Sequence, residues 1–170
     1  MQYTNVDMIG DNHVRYALIK HGKNPLIVFG VNPSTADDQK PDATMRKVMG
    51  FASRHGYDGF IMLNIYPQRA TNIDNLPNEI CEDIHFQNLK TIEQILSQII
   101  CPNILMAYGN PINTKSYLRN CLKDILNVLQ PLNAEYFQLG ELTRYGNPRH
   151  PSRPAYSTEF KRFDIERILK

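Results

Sequence analysis

The chain has 170 residues, 42% of them hydrophobic, so it can bury a sizeable core in one compact domain and is too apolar for global disorder. Its 19 basic and 17 acidic side chains leave a formal charge of +2, which argues against a basic nucleic-acid wrapper while allowing a local basic patch. Cys81, Cys101 and Cys121 give neither a closed disulfide set nor metal-ligand spacing, no apolar run has membrane length, and Met1 to Gly10 lacks a signal-peptide pattern; reduced thiols in a cytoplasmic protein without metal are expected.

Met1 to Asp11 is polar and shows no period. Val14 to Ile19 reads as a strand, followed by the turn-rich cluster Lys20 to Asn24. With Leu26 to Phe29 it would form a hairpin, its first strand at the sheet edge with Arg15 and Lys20 exposed. Leu26 to Phe29 is a short apolar run suited to a strand buried on both faces. Gly30 and Pro33 then turn the chain, and Asn32, Ser34, Thr35, Asp37 and Asp38 supply polar groups. Asp42 is the expected N-cap of a helix with Met45, Val48, Met49 and Ala52 on its buried face, ended by Gly56.

Gly59 to Asn64 is the next buried strand, and its end delivers Asn64, Tyr66, Gln68, Arg69, Thr71 and Asn72. A helix is expected from about Glu79 to Ile99, with an apolar stripe of Ile84, Leu89, Ile92, Ile95, Leu96 and Ile99 and a stop at Pro102. Asn103 to Gly109 is a third buried strand. A helix from Thr114 or Lys115 to Leu129 and a short strand Glu135 to Leu139 follow. Leu142 to Pro154 is a loop by composition, and Thr158 to Lys170 reads as a short helix with Phe160, Phe163, Ile165 and Leu169 partly buried.

Strand, loop and helix thus repeat. The expected fold class is α/β, a three-layer α/β/α sandwich with a central, mainly parallel sheet of about four strands, as a single domain over 1–170. In such sheets ligands bind beyond the carboxyl ends of the strands. Loops over Asn32–Asp38, Asn64–Thr71, Gly109–Asn113 and Thr143–Ser152 would share that rim. Thr44 and Arg46, in the first turn of their helix, lie close to the first loop.

By residue type, the Asn32 carboxamide can hold a water or read a donor–acceptor edge, or simply stabilise its own turn. Asn64 can pair with a base edge or cap its strand. His150 can donate to an anion developing on a leaving group. Arg144, Arg149 and Arg153 make its loop locally basic, which suits a phosphate-bearing partner. No phosphate-cradling glycine loop, dinucleotide fingerprint or nucleophile elbow is present, and no cofactor is implied.

The stretches Asn32-Pro-Ser-Thr-Ala-Asp37, Asp42-Ala-Thr-Met-Arg46, Gly56-Tyr-Asp-Gly59, Asn64-Ile-Tyr-Pro-Gln-Arg-Ala-Thr71 and Gly146-Asn-Pro-Arg-His-Pro151 resemble a bacterial and phage family, domain-of-unknown-function family 1643. A more distant resemblance is to the α/β uracil-DNA glycosylase superfamily. Gly30-Val-Asn-Pro33 is similar to its water-positioning loop, Met62-Leu-Asn64 to the strand whose terminal Asn reads the base, Ala107-Tyr-Gly109 to its third strand end, and His150-Pro-Ser152 to its minor-groove histidine loop. Ser34-Thr35 stands where a Gly often follows the Pro. Position 32 is Asn where the most active branch has Asp. Arg153-Pro154 occupies the place of the usual wedge.

The resemblance implies a uracil-DNA glycosylase-like domain with Asn32 positioning water and His150 assisting the departing base. Taken with the rim placement and the basic loop, the expected substrate contacts are Pro33, Ser34, Asp37, Thr44, Arg46, Asn64, Tyr66, Arg69, Gly109 and Ser152, and the expected nucleic-acid contacts Arg144, Arg149 and Arg153. The partner would be a nucleobase, nucleotide or nucleic acid. The alternative is a non-catalytic base- or nucleotide-binding module on the same fold.

Overall fold

The computed structural model describes residues 1–169. Among the described residues seven strands form one sheet in the order β1-β2-β4-β3-β5-β6-β7. They are β1 (Val6–Gly10), β2 (Arg15–Lys20), β3 (Pro25–Gly30), β4 (Gly59–Asn64), β5 (Asn103–Met106), β6 (Glu135–Leu139) and β7 (Phe160–Arg162). β4, β3, β5 and β6 run parallel, and antiparallel strands flank them on both sides. The four expected strands form this parallel centre with β2 beside it; β1 and β7 complete the sheet.

The strands of the parallel centre are apolar on both faces, as burial under helices on both sides requires. Leu26 and Val28 of β3 point to one side, Ile27 and Phe29 to the other, and all four are buried. Helix α1 (Ala43–Arg54) covers the first side through Met45, Val48, Met49, Phe51 and Ala52. Helices α2 (Glu82–Leu96) and α3 (Leu118–Leu129) cover the second with Ile92, Leu96, Leu118, Cys121, Leu122, Ile125 and Leu129. Each fully buried side chain of this size contributes about 1.5–3 kcal/mol relative to exposure.

Asp42 caps α1 as expected: its carboxylate accepts the Met45 N–H at 2.8 Å. At the other end Tyr57 N–H bonds Ala52 O while Gly56 turns left-handed at φ +79°. α2 begins three residues after Glu79, at Glu82, and α3 begins at Leu118.

Several expectations fail on pairing that sequence does not reveal. β2 and β3 form no hairpin: β2 pairs antiparallel with β4 and, on its other side, with β1. It is therefore an inner strand, and Arg15 is 2% exposed. The stretch that shows no period contains β1, which pairs Val6 with Lys20 and Met8 with Leu18. The expected tail helix instead starts as β7 against β6 and ends in the short helix α4 (Glu166–Leu169); Lys170 lies outside the described residues. Among the described residues no helix is long and apolar enough to cross a membrane.

β3 has β4 on one side and β5 on the other, so the chain leaves β3 one way and later crosses back over it. That is a topological switch point, and the loops beyond it diverge to leave a crevice.

Candidate functional site

A cavity of about 970 Å³ opens at this switch point, on the α1 side of the sheet. All four rim loops reach it: Asn32, Ser34 and Thr35 after β3; Ala70 to Ile73 after β4; Gly109 to Pro111 after β5; and Thr143, Arg144, Arg149, His150, Ser152 and Arg153 after β6. The first turn of α1, Asp42 to Met45, closes one wall.

Two glycines let the walls approach. A Cβ at Gly30 would lie 2.7 Å from Met62 Cε and 3.1 Å from Asn64 Oδ1. Gly109 holds φ +65°, and a Cβ there would meet His150 Cβ at 3.0 Å. The His150 loop is stitched down further by Thr143 Oγ1, which donates to Asn110 Oδ1 at 2.7 Å, and by Asn147 Nδ2, which donates to the same oxygen at 3.1 Å.

Asn32 is fixed by its amide. Nδ2 donates to Pro33 O at 3.0 Å and to Ala70 O at 2.8 Å. Two carbonyls can only be met by the NH₂ end, so Oδ1 is the end left to accept a ligand or a water.

His150 Nδ1 accepts from Ser152 N–H at 3.3 Å and lies 2.8 Å from Ser152 Oγ, which assigns the ring proton to Nε2. Desolvation, mainly, holds the imidazole below its ordinary value of 6.5; Arg153 pushes the same way and Asp42 opposes it. The ring is neutral at physiological pH.

The remaining expected residues divide. Ser34, Thr44, Gly109, Ser152, Arg144, Arg149 and Arg153 line the cavity. Pro33, Asp37, Arg46, Asn64, Tyr66 and Arg69 do not. Pro33 O receives Asn32 and Ala70 N–H. Asp37 Oδ1 caps its own turn through Gln39 and Lys40 N–H, and it borders a second, smaller hollow with Arg69. Arg69 is a strut, donating to Asp11, Ser34 and Ala36 carbonyls. Arg46 is exposed and bonds Pro41 O. Tyr66 belongs to the opposite face, where its hydroxyl accepts Cys81 N–H and its ring meets Tyr117 edge-on.

Asn64 is 0% exposed and sits behind Gly30 and Met62; neither its Oδ1 nor its Nδ2 has a partner among the described residues.

Sequence reasoning missed Arg15 and Asp42 as lining residues; Thr71, Asn72, Asn110 and Thr143 come from the strand end and rim loops it named, without having been singled out. Asp42 could have been found, since an N-cap directly after a rim loop must stand at the rim. Arg15 could not. It reaches the rim because β2 runs antiparallel to β4, which brings the start of β2 beside the end of β4; its N–H bonds Pro67 O at 2.9 Å. Its guanidinium is drawn down to about 10, chiefly by desolvation and then by Arg69, and stays cationic.

No curated protein and no solved structure matches the chain. A family model described as "Protein of unknown function (DUF1643)" matches residues 15–152, which takes in β2 through β6 and all four rim loops. The chain therefore belongs to the DUF1643 family.

Proposed function

We propose that the cavity receives a nucleobase with its sugar and phosphate, as a nucleotide or within a nucleic acid, and that the protein hydrolyses the N-glycosidic bond. The observation that carries this reading is the meeting of Asn32 and His150 on one cavity rimmed by arginines. Asn32 Oδ1 is a fixed acceptor for the attacking water. A neutral His150 with its proton on Nε2 is a donor for the base anion as it departs. Arg144, Arg149 and Arg153 supply the field for phosphate. The fold is read as uracil-DNA glycosylase-like on the motif order Gly30-Val-Asn-Pro33, Met62-Leu-Asn64, Ala107-Tyr-Gly109 and His150-Pro-Ser152. With duplex DNA the base would have to leave its stack.

Incubation with uracil-, hypoxanthine- or mismatch-containing DNA followed by hot alkali, which cleaves the strand at the abasic sites that base loss leaves, tests the reaction. Asn32→Ala is expected to slow it on the order of 100-fold. No cleavage of any substrate by folded protein would remove the hydrolytic reading.

One observation favours a non-catalytic module instead. Asn32 is an amide that cannot take a proton from the water it would hold, and the one carboxylate among the residues lining the cavity, Asp42, has one oxygen given over to the Met45 N–H as the cap of α1. Calorimetry with a nucleoside and nucleotide panel separates the two: binding without turnover supports the module, turnover the enzyme.

A further inference from the structure

Behind the His150 loop, on the side of the sheet that carries α3, lies a hollow of about 190 Å³ that shares no lining residue with the main cavity. The chain divides the two just past β5: Gly109 faces the main cavity and Tyr108 the hollow. Tyr108 is 2% exposed. Its hydroxyl forms no hydrogen bond with a described residue and is not among the sealed polar atoms, so it opens into the hollow. Two guanidinium groups reach in from the surface, Arg119 on α3 and Arg167 on α4. Arg119 makes both of its hydrogen bonds through Nη2, to Asn113 Oδ1 at 2.5 Å and Asn147 Oδ1 at 3.4 Å. These hold its head in place and leave Nη1 and Nε without a described partner. Arg167 Nη2 lies against Gly146, 3.9 Å from where a Cβ would stand. Neither arginine forms an ion pair with a described residue, and no described residue lining the hollow carries a carboxylate. Two like charges on so small a hollow repel, and an anion between them replaces that repulsion by attraction.

We propose that this hollow is a binding site for a small oxyanion, a carboxylate or phosphate group, held between Arg119 and Arg167 with the Tyr108 hydroxyl donating from the buried wall. Burial raises the Tyr108 phenol above its ordinary value of 10.0, so the hydroxyl stays a donor. Phe163, 7% exposed, adds an apolar wall that limits screening by water. Asn147 stands between the hollow and the cavity: its Oδ1 takes Arg119, and its Nδ2 donates to Asn110 Oδ1 at 3.1 Å on the cavity side. The two sites are neighbours with separate linings, and the hollow does not depend on what the cavity receives.

The chain supplies its own reporters. Only Gly109 and Gly146 follow a tyrosine, so protein labelled with carbonyl-¹³C tyrosine and ¹⁵N glycine gives two carbonyl-linked amide signals by NMR, one beside each site. Tyr108→Phe deletes the Gly109 signal and thereby assigns the other. Inorganic phosphate and acetate, titrated at ionic strength held constant with chloride, are the probes. At least one should move the Gly146 signal to saturation; a response to phosphate alone assigns the site to phosphate groups, and a response to both assigns it to oxyanions at large. Arg167→Gln, at an exposed position, should weaken that titration roughly 10-fold, and Tyr108→Phe, which removes one hydroxyl, about 3- to 10-fold. Arg149→Gln, on the main cavity, should leave it unchanged. A Gly146 signal that neither anion moves overturns the proposal. So does one that titrates undiminished in Arg167→Gln and Tyr108→Phe, or one that weakens only in Arg149→Gln, which would put the anion in the main cavity.

Discussion

The two faces of the sheet treat the end of β4 in opposite ways. Toward α2 and α3 the chain closes over it. Asn88, fully buried on α2, donates through Nδ2 to the carbonyl of Asn64 at 3.0 Å. The Tyr66 hydroxyl takes the Cys81 N–H, and His85 on α2 bonds Asp124 on α3 at 2.9 Å. Asn88 Oδ1 and His85 Nδ1 lack partners, but each of those side chains is held by its other end. Toward α1 the same strand end carries Asn64, whose amide has no partner at either end, with Arg15 and an open cavity nearby. Buried polar groups left unmet cost stability, and proteins retain them where something else is served. The contrast separates polar groups that hold the fold from polar groups that the fold holds in readiness.

Three measurements break or sharpen that contrast. The largest effect is expected at Asn88. Asn88→Ala removes the donor to the Asn64 carbonyl and opens a hole between α2 and the sheet, and should destabilise by about 2–3 kcal/mol in denaturant unfolding. A near-neutral result would mean that the closed face does not depend on this link.

Asn64→Leu, a change of similar volume on the other face, should leave stability unchanged or raise it by up to about 1 kcal/mol, since it removes an unpartnered amide. A loss as large as that of Asn88→Ala would place Asn64 among the structural groups.

The smallest effect concerns pH. The folded chain holds His150 below 6.5, so below that value the unfolded chain binds a proton that the fold resists. Stability should therefore decline as pH falls through 6.5 toward the folded value, and His150→Gln should flatten that part of the profile. An unchanged slope would mean that the imidazole is as well solvated in the fold as out of it.

How much of this was legible follows from the range of each interaction. Apolar runs such as Leu26 to Phe29 and the Asp42 cap are local, and they mark the parallel strands and α1 directly. Because parallel strands share a rim, the four loops and their Asn32 and His150 could also be placed together. Pairing partners are not local. Nothing in Arg15-Tyr-Ala-Leu-Ile-Lys20 tells whether its neighbour is β3 or β4, and on that choice rests whether Arg15 faces solvent or a cavity. Tyr66 and Arg69 lie outside the cavity for a related reason: polar residues beyond a strand can turn to either face, and only packing against Tyr117 or the Ala36 carbonyl decides which.

Pinned at both ends, the His150 loop is not built to swing over the cavity mouth. Gly109 and Asn110 hold it on one side. On the other, Lys47 Nζ bonds Pro154 O at 2.6 Å, and Tyr156 fits against Gly50 beneath the Lys47 and Arg54 cations. Capture of a charged ligand should then be a single bimolecular step, faster at low ionic strength and without a slow isomerisation phase, its rate set by diffusion through the arginine field.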